Sequence, residues 1–197
     1  MSLDARLNAL SAALLDPRLL RGRGLGNEIG FYIFDYPPER EPDVTRALPR
    51  VVQAVEAGGV QVAVVDLYST VLGLLEARGY LDKAVALEEA RGSAALQSAL
   101  KPLLAPDKVA AAVAAQAQGA GLVLLTQVGA AYPLLRSHSI LNNLHERLDQ
   151  VPVVMFFPGT YDGQQLRLFG LFKDDNYYRA FRLLPESTPD ATQGAHP

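Results

Sequence analysis

Cysteine and tryptophan are absent from this chain of 197 residues, and neither sign of charge predominates strongly. Without cysteine the chain cannot form thiolate zinc sites or iron–sulfur clusters, and it has no cysteine nucleophile. The absence of cysteine fits a reducing compartment such as the cytoplasm, although secreted proteins can lack cysteine too. The 18 basic residues are outnumbered by 21 acidic ones, so the sequence lacks the strong positive charge of most nucleic-acid-binding domains.

Charged residues are absent between residues 109 and 135, which form the longest uncharged run in the chain. The run exceeds the roughly 20 apolar residues that a membrane-spanning helix needs. It is broken, however, by Gly119, Gly121 and Pro133 and by three glutamines. We therefore predict a helix, a glycine turn and a buried strand here, and no membrane partner.

Four short apolar runs alternate with helical patterns at residues 30–35, 60–65, 122–125 and 151–157. Strands that are apolar throughout are typical of parallel sheets covered on both faces. The sequence therefore predicts an α/β fold with a mostly parallel central sheet and helices on both faces. The dipeptide Pro158-Gly159 is expected to end the fourth strand, and residues 166–172 and 177–184 are expected to form a C-terminal β-hairpin.

The predicted organisation has three parts. Residues 1–26 contain a helix with an apolar stripe, followed by a loop rich in glycine and arginine. Residues 27–184 form a single α/β domain. Residues 185–197 are polar and contain three prolines, which predicts a disordered tail.

Polar side chains follow the predicted strands at their carboxyl ends, where doubly wound sheets bind ligands. The candidates for such a strand-end crevice are Asp35, Tyr36, Asp66, Tyr68 and Gln127. Their carboxylates suit Mg²⁺ binding or general-base work. The alternative is that the aspartates cap the turns or helices that follow them, which strand-end aspartates do routinely.

Recognisable catalytic motifs are lacking. No Gly-Lys dipeptide exists to form a phosphate-binding loop, and no serine lies in a Gly-x-Ser-x-Gly pattern. His138 and His145 are seven residues apart, whereas a helical zinc pair needs a spacing of four. We therefore predict no catalytic residue, no metal ligand and no cofactor.

Aromatic and charged side chains near the C-terminus are candidates for contact with another protein, because exposed Tyr and Arg often anchor interfaces. The candidates are Tyr177, Tyr178 and Arg179 in the predicted hairpin, and Tyr161 and Asp162 in the loop after the fourth strand. Strand alternation must bury one set of hairpin side chains. Closing the core is therefore an equally good interpretation of these aromatic residues.

Three segments resemble a known family: FYIFDYPP at residues 31–38, HSILNNL at residues 138–144, and above all residues 151–181. They are similar to BrxB, the small B component of bacterial BREX phage-exclusion systems, and the similarity extends over residues 27–184. The resemblance implies a cytoplasmic antiviral accessory protein that brings no enzymatic motif. It also implies partners among the other BREX components, namely the phosphatase-like PglZ, the methyltransferase PglX and the large ATPase BrxC, with PglZ as the expected direct partner.

These observations favour a non-catalytic protein-interaction module. The alternative, from another functional class, is a degenerate nucleotide- or nucleic-acid-binding domain that uses the strand-end crevice.

Overall fold

A computed structural model describes residues 1–21, 30–173 and 180–185 of the chain. The strands are β1 Phe31–Tyr36, β2 Val62–Asp66, β3 Leu122–Thr126, β4 Val153–Tyr161, β5 Leu166–Leu168, β6 Phe172–Lys173 and β7 Phe181–Arg182. The helices are α1 Leu3–Leu14, α2 Pro17–Leu20, α3 Glu41–Ala57, α4 Leu67–Glu76, α5 Leu81–Leu100, α6 Pro106–Gln116, α7 Val128–Ala131 and α8 Ser137–Leu144, with a short 3₁₀ helix at Pro38–Arg40.

The central sheet has the strand order β2-β3-β4-β1-β7, and every neighbouring pair along it is parallel. Strand β4 therefore lies in the middle, and β1 and β2 are separated by β3 and β4. The predicted fold class, a mostly parallel sheet with helices around it, is confirmed.

Two apolar cores cover the two faces of the sheet, because neighbouring side chains along each buried strand point to opposite faces. Ile33 and Met155 belong to the core beneath α4, α6, α7 and α8. Phe34 and Phe156 belong to the core beneath α1, α2 and α3. Strands buried on both faces explain why the sequence runs of β1, β3 and β4 are continuously apolar.

The uncharged run at residues 109–135 does form several short elements, as predicted. It contains the end of α6, a turn at Gly119 with φ +81°, strand β3 and helix α7. Within the described residues, no helix combines the length and the apolar character needed to cross a bilayer.

Strand β4 does not end at Pro158-Gly159, so this prediction is wrong. Up to Pro158 the strand pairs in parallel with β1, and from Gly159 to Tyr161 it pairs antiparallel with β5. Proline at the changeover is tolerated because its missing N–H is not needed there, while its carbonyl accepts a hydrogen bond of 2.9 Å from the N–H of Phe169.

An antiparallel C-terminal hairpin is present, but its pairing differs from the prediction. Strand β5 pairs with β4 on one side and with β6 on the other. Strand β7, which was expected to complete the hairpin, instead pairs in parallel with β1 at the edge of the sheet. The reason is that the chain already turns back at residues 169–171, immediately after β5. The predicted Gly/Arg loop at residues 22–26 and the tail from residue 186 lie outside the described residues.

Candidate functional site

A crevice with a volume of about 480 Å³ opens at the carboxyl ends of β1 and β4. Here the chain leaves β1 towards α3 on one face of the sheet, while the chain leaving β3 turns towards α7 on the other face. Such a reversal creates the gap in which doubly wound sheets bind ligands. The crevice is lined by Arg6, Asp35, Tyr36, Pro37, Pro38, Glu39, Gly159, Thr160, Phe169 and Gly170.

Asp35 lies at the centre of a buried hydrogen-bond network that joins three parts of the chain. Its Oδ1 accepts a bond of 2.8 Å from Nη2 of Arg6, and its Oδ2 accepts one of 3.0 Å from the N–H of Tyr161. Arg6 also donates from Nη1 to the carbonyl of Asp35 at 2.6 Å. Since both carboxylate oxygens are engaged by the protein, Asp35 has a structural role in holding α1, β1 and the end of β4 together.

Arg6 is the residue of this network that the sequence interpretation missed. Its side chain is only 1% exposed, and its guanidinium lies 4.6 Å from the ring centre of Phe34. The signal was available in the sequence, because Arg6 is three residues after Leu3 and four before Leu10, on the apolar stripe of α1. A charge on a buried stripe requires a buried partner of opposite charge.

Tyr36 is also buried, and its hydroxyl donates a hydrogen bond of 2.7 Å to Glu41. Burial raises the pKa of this phenol, and the neighbouring carboxylate of Glu41 acts in the same direction. The phenol therefore stays protonated and serves as a donor that connects β1 to the start of α3.

The other strand-end candidates do not share this crevice. Asp66 caps α4 by accepting a bond of 2.8 Å from the N–H of Ser69, which agrees with the capping interpretation. Gln127 adopts a left-handed conformation, with φ 55°, before α7. Tyr68 borders a separate groove of about 260 Å³ between α4 and α5. The single strand-end crevice predicted for these residues is therefore divided.

Strand order explains the division. Asp35 is on β1 and Asp66 is on β2, and two strands lie between them. At about 4.8 Å per strand, the two positions are roughly 14 Å apart, too far for both carboxylates to bind one metal ion. Among the described residues no group of three or more His, Asp or Glu side chains could hold a metal.

The hairpin of β5 and β6 presents an exposed apolar tip beside the crevice. Leu171 is 76% exposed and Phe172 is 43% exposed. The turn depends on left-handed conformations at Phe169, with φ 54°, and Gly170, with φ 72°. The Phe172 ring lies 4.8 Å from the ring of Tyr132, which fixes its orientation. Large exposed apolar side chains on a rigid turn are typical of protein-binding surfaces.

The residues predicted to contact another protein do not lie together on one described surface. Tyr177, Tyr178 and Arg179 lie outside the described residues. The side chain of Tyr161 is fully buried, and its hydroxyl donates a bond of 2.6 Å to the carbonyl of Ala180. A side chain without exposed surface offers no contact area, so Tyr161 is a core residue in this conformation.

Asp162 is exposed at the turn between β4 and β5. Its Oδ1 accepts hydrogen bonds from the N–H groups of Gln164 and Gln165, at 2.8 Å and 2.7 Å. The bonds from Gln165 and Gln164 lower the pKa of the Asp162 carboxyl. The residue shapes the turn and keeps a negative charge at the surface.

Comparison with known proteins identifies close relatives over nearly the whole chain. A family model described as "BREX protein BrxB" matches residues 63–183. A protein of that name from Bacillus cereus (strain H3081.97) is 43% identical over 187 residues, which are 92% of this chain and 97% of the relative. Another, from Escherichia coli O9:H4 (strain HS), is 34% identical over 192 residues, which are 96% of each chain. No solved structure matches the chain.

Proposed function

The chain belongs to the BrxB family and is a component of a BREX antiviral defence system, and from this membership we propose that it works as a non-catalytic accessory protein in the cytoplasm. It acts by binding other BREX components, and PglZ is the direct partner. The family membership supports the assignment to a BREX system. The surface of the folded chain supports action through protein binding.

The observation that carries the proposal is the exposed apolar tip of the β5–β6 hairpin. Leu171 and Phe172 project beside a crevice whose walls combine proline, glycine and aromatic residues with charged and polar ones. A partner that covers this tip removes apolar surface from water, at roughly 25 cal/mol for each Å² that is buried. The tip is therefore the centre of the proposed interface.

The residues that follow the tip in the sequence extend the proposed interface. Tyr177, Tyr178 and Arg179 follow β6 within six residues of its last member, Lys173. They combine aromatic area with a guanidinium, the residue types most often found at interface hot spots. Asp162 adds a charge at the neighbouring turn, which suits the polar rim of an interface.

Two features support a non-catalytic role. The carboxylate of Asp35 is engaged on both oxygens by Arg6 and by the backbone of Tyr161, which leaves it poorly placed to accept a proton from a substrate. Asp66 is used as a helix cap on the other side of the sheet's midline. The crevice also suits nucleotide phosphates poorly, because its acidic residues are Asp35 and Glu39 and its guanidinium is bonded to Asp35.

The proposal is tested by measuring the binding of purified PglZ to the wild-type chain and to Leu171→Glu, by calorimetry. The expected result is a loss of affinity of about 2 kcal/mol or more, with an unchanged melting temperature, because Leu171 is exposed. Val64→Glu is the matched control, since Val64 is an exposed aliphatic residue on β2 at the far edge of the sheet.

Arg179→Ala extends the same test to the segment that follows the tip and should also weaken binding. Full affinity in both Leu171→Glu and Arg179→Ala would rule out this surface as the interface. A wild-type chain that does not bind PglZ at micromolar concentration would rule out the partner.

A further inference from the structure

A second cavity, of about 510 Å³, lies between the end of α5, the start of α6 and the start of α8. Its volume falls in the range of about 300–1,000 Å³ in which most small-molecule sites lie. None of the segments around it contributes to the strand-end crevice.

Two long basic side chains line this cavity. They are Lys101 at the end of α5 and Arg136 at the start of α8, and His138 also belongs to the lining. No Asp or Glu is among the described residues of the lining, although acidic residues outnumber basic ones in the whole chain. The lining therefore has an excess of basic over acidic side chains that the composition of the chain does not predict.

Lys101 and Arg136 are the two side chains that can meet an anion here. Within the part of the chain that the structure describes, neither Lys101 nor Arg136 forms an ion pair with a carboxylate. The Arg136 guanidinium is steadied by the ring of Tyr132, 5.6 Å from its centre. The Gln97 side chain donates a bond of 3.0 Å to the carbonyl of Pro133, which ties α5 to the segment that carries Arg136.

Hydroxyl groups and apolar walls complete the lining. Ser98 and Ser139 supply side-chain hydroxyls, while Leu104 and Ile140 supply apolar surface. Phosphate oxygens are commonly bound by a combination of guanidinium, ammonium and hydroxyl donors, and the apolar walls suit the organic part of a ligand.

We propose that this cavity binds a phosphate group, either as free phosphate or as the phosphate of a small organic monoester. Lys101 and Arg136 make the charged contacts, and the hydroxyl of Ser139 donates a hydrogen bond. The site favours a small ligand over a nucleic-acid strand because both cations line the same cavity, whereas a strand is held by charges spaced along an open groove.

The proposal is tested by calorimetric titration of the full chain with inorganic phosphate, AMP and adenosine at low ionic strength. Phosphate and AMP should bind and compete with each other, and adenosine should not bind. Lys101→Ala and Arg136→Ala should each weaken AMP binding about tenfold, since a hydrogen bond to a charged group contributes that much. A rise in ionic strength should weaken binding further.

Arg50→Ala is the matched control, because Arg50 lies on α3 on the opposite face of the sheet. The three variants should keep the wild-type melting temperature, since all three side chains are exposed. Tighter binding of AMP than of phosphate identifies a monoester as the ligand, and equal binding identifies the free ion.

Three results would overturn the proposal. They are no binding of phosphate or AMP at millimolar concentration, AMP binding that survives both Lys101→Ala and Arg136→Ala, and binding of a short single-stranded oligonucleotide through these residues in the absence of AMP binding. None of these outcomes depends on whether PglZ is the protein partner.

Discussion

The guanidinium of Arg6 lies 2.8 Å from the carboxylate of Asp35, and both side chains are almost completely buried. This ion pair joins the N-terminal helix to the first strand of the sheet. Because Asp35 also accepts a hydrogen bond from the N–H of Tyr161, the same carboxylate sets the position from which the chain enters the β5–β6 hairpin. A buried charge pair of this kind stabilises the fold only while both partners are present.

Arg6→Met should lower the free energy of unfolding by about 3–5 kcal/mol, because it leaves the Asp35 carboxylate buried without its counter-charge. Urea unfolding measures the change. Adding Asp35→Asn to Arg6→Met should recover part of the loss, since the amide is neutral and can still accept from Tyr161. Arg46→Met is the control, because the ion pair between Arg46 and Asp43 is exposed and should have little effect. Equal effects of Arg6→Met and Arg46→Met would show that burial of the first pair is unimportant.

Gly159→Ala should disrupt the pairing of β4 with β5. A Cβ atom at Gly159 would overlap the carbonyl oxygen of Arg167, a backbone atom that cannot rotate away. We expect a loss of about 2 kcal/mol or more in the free energy of unfolding. Gly73→Ala, in the middle of α4 and free of contacts within 4 Å, should instead stabilise the chain by about 0.5–1 kcal/mol. Thermal unfolding of the two variants should show a lower melting temperature for Gly159→Ala and a higher one for Gly73→Ala. An unchanged melting temperature for Gly159→Ala would contradict the close approach of Gly159 to the Arg167 carbonyl.

Tyr161→Phe should reduce the free energy of unfolding by about 1–2 kcal/mol, because the carbonyl of Ala180 loses a donor 2.6 Å away. The aromatic ring remains, so packing is preserved and the change isolates the hydroxyl. Tyr68→Phe, at an exposed position on α4, should change stability little. The contact joins β4 to the residue before β7, and Tyr161→Phe should accordingly speed hydrogen exchange of the β7 amides. Unchanged exchange there would argue against the contact.

Asp162 should make stability at the β4–β5 turn dependent on pH. Two backbone N–H groups favour its charged form and lower its folded pKa, so its contribution is present above the unfolded value of about 4 and is lost as the pH falls through the folded value. The effect should stay below about 1 kcal/mol, since the side chain is in contact with solvent. The stability difference between wild type and Asp162→Asn should therefore shrink between neutral and acidic pH. Gln164→Ala keeps the backbone N–H that donates to Asp162, so this variant should show the same pH dependence as the wild type. If the stability difference between wild type and Asp162→Asn did not change with pH, Asp162 would not be the group responsible.

The apolar runs of the sequence predict the strands well, because burial on both faces leaves so distinct a pattern. They do not predict the order of the strands. The carboxyl ends of β1 and β2 appear consecutively in the chain, yet Asp35 and Asp66 are separated by two strands that come later. Long-range pairing decides this order, and it separates strand-end candidates that the sequence predicts in one crevice.

The candidate interaction surface was harder to predict for a local reason. Pro158 is usually a signal for the end of a strand, and here it marks a change of partner within one strand. The exposed position of Leu171 and Phe172 results from that change, because the chain turns back at Gly170 directly after β5 has paired with β4. Their exposure depends on where β5 ends and pairs. The sequence pattern alone predicts a longer strand, over residues 166–172, and so does not predict the turn.

The continuity of β4 has a consequence for the energetics of binding. The strand runs from the middle of the parallel sheet directly into the pairing that supports the β5–β6 turn. The turn is thus anchored in a strand that is buried at every position but one. Leu171 therefore lies on a backbone whose conformational freedom was already lost when the chain folded. A partner that binds there has little ordering entropy to overcome, so even a small apolar contact can contribute most of its burial energy to affinity.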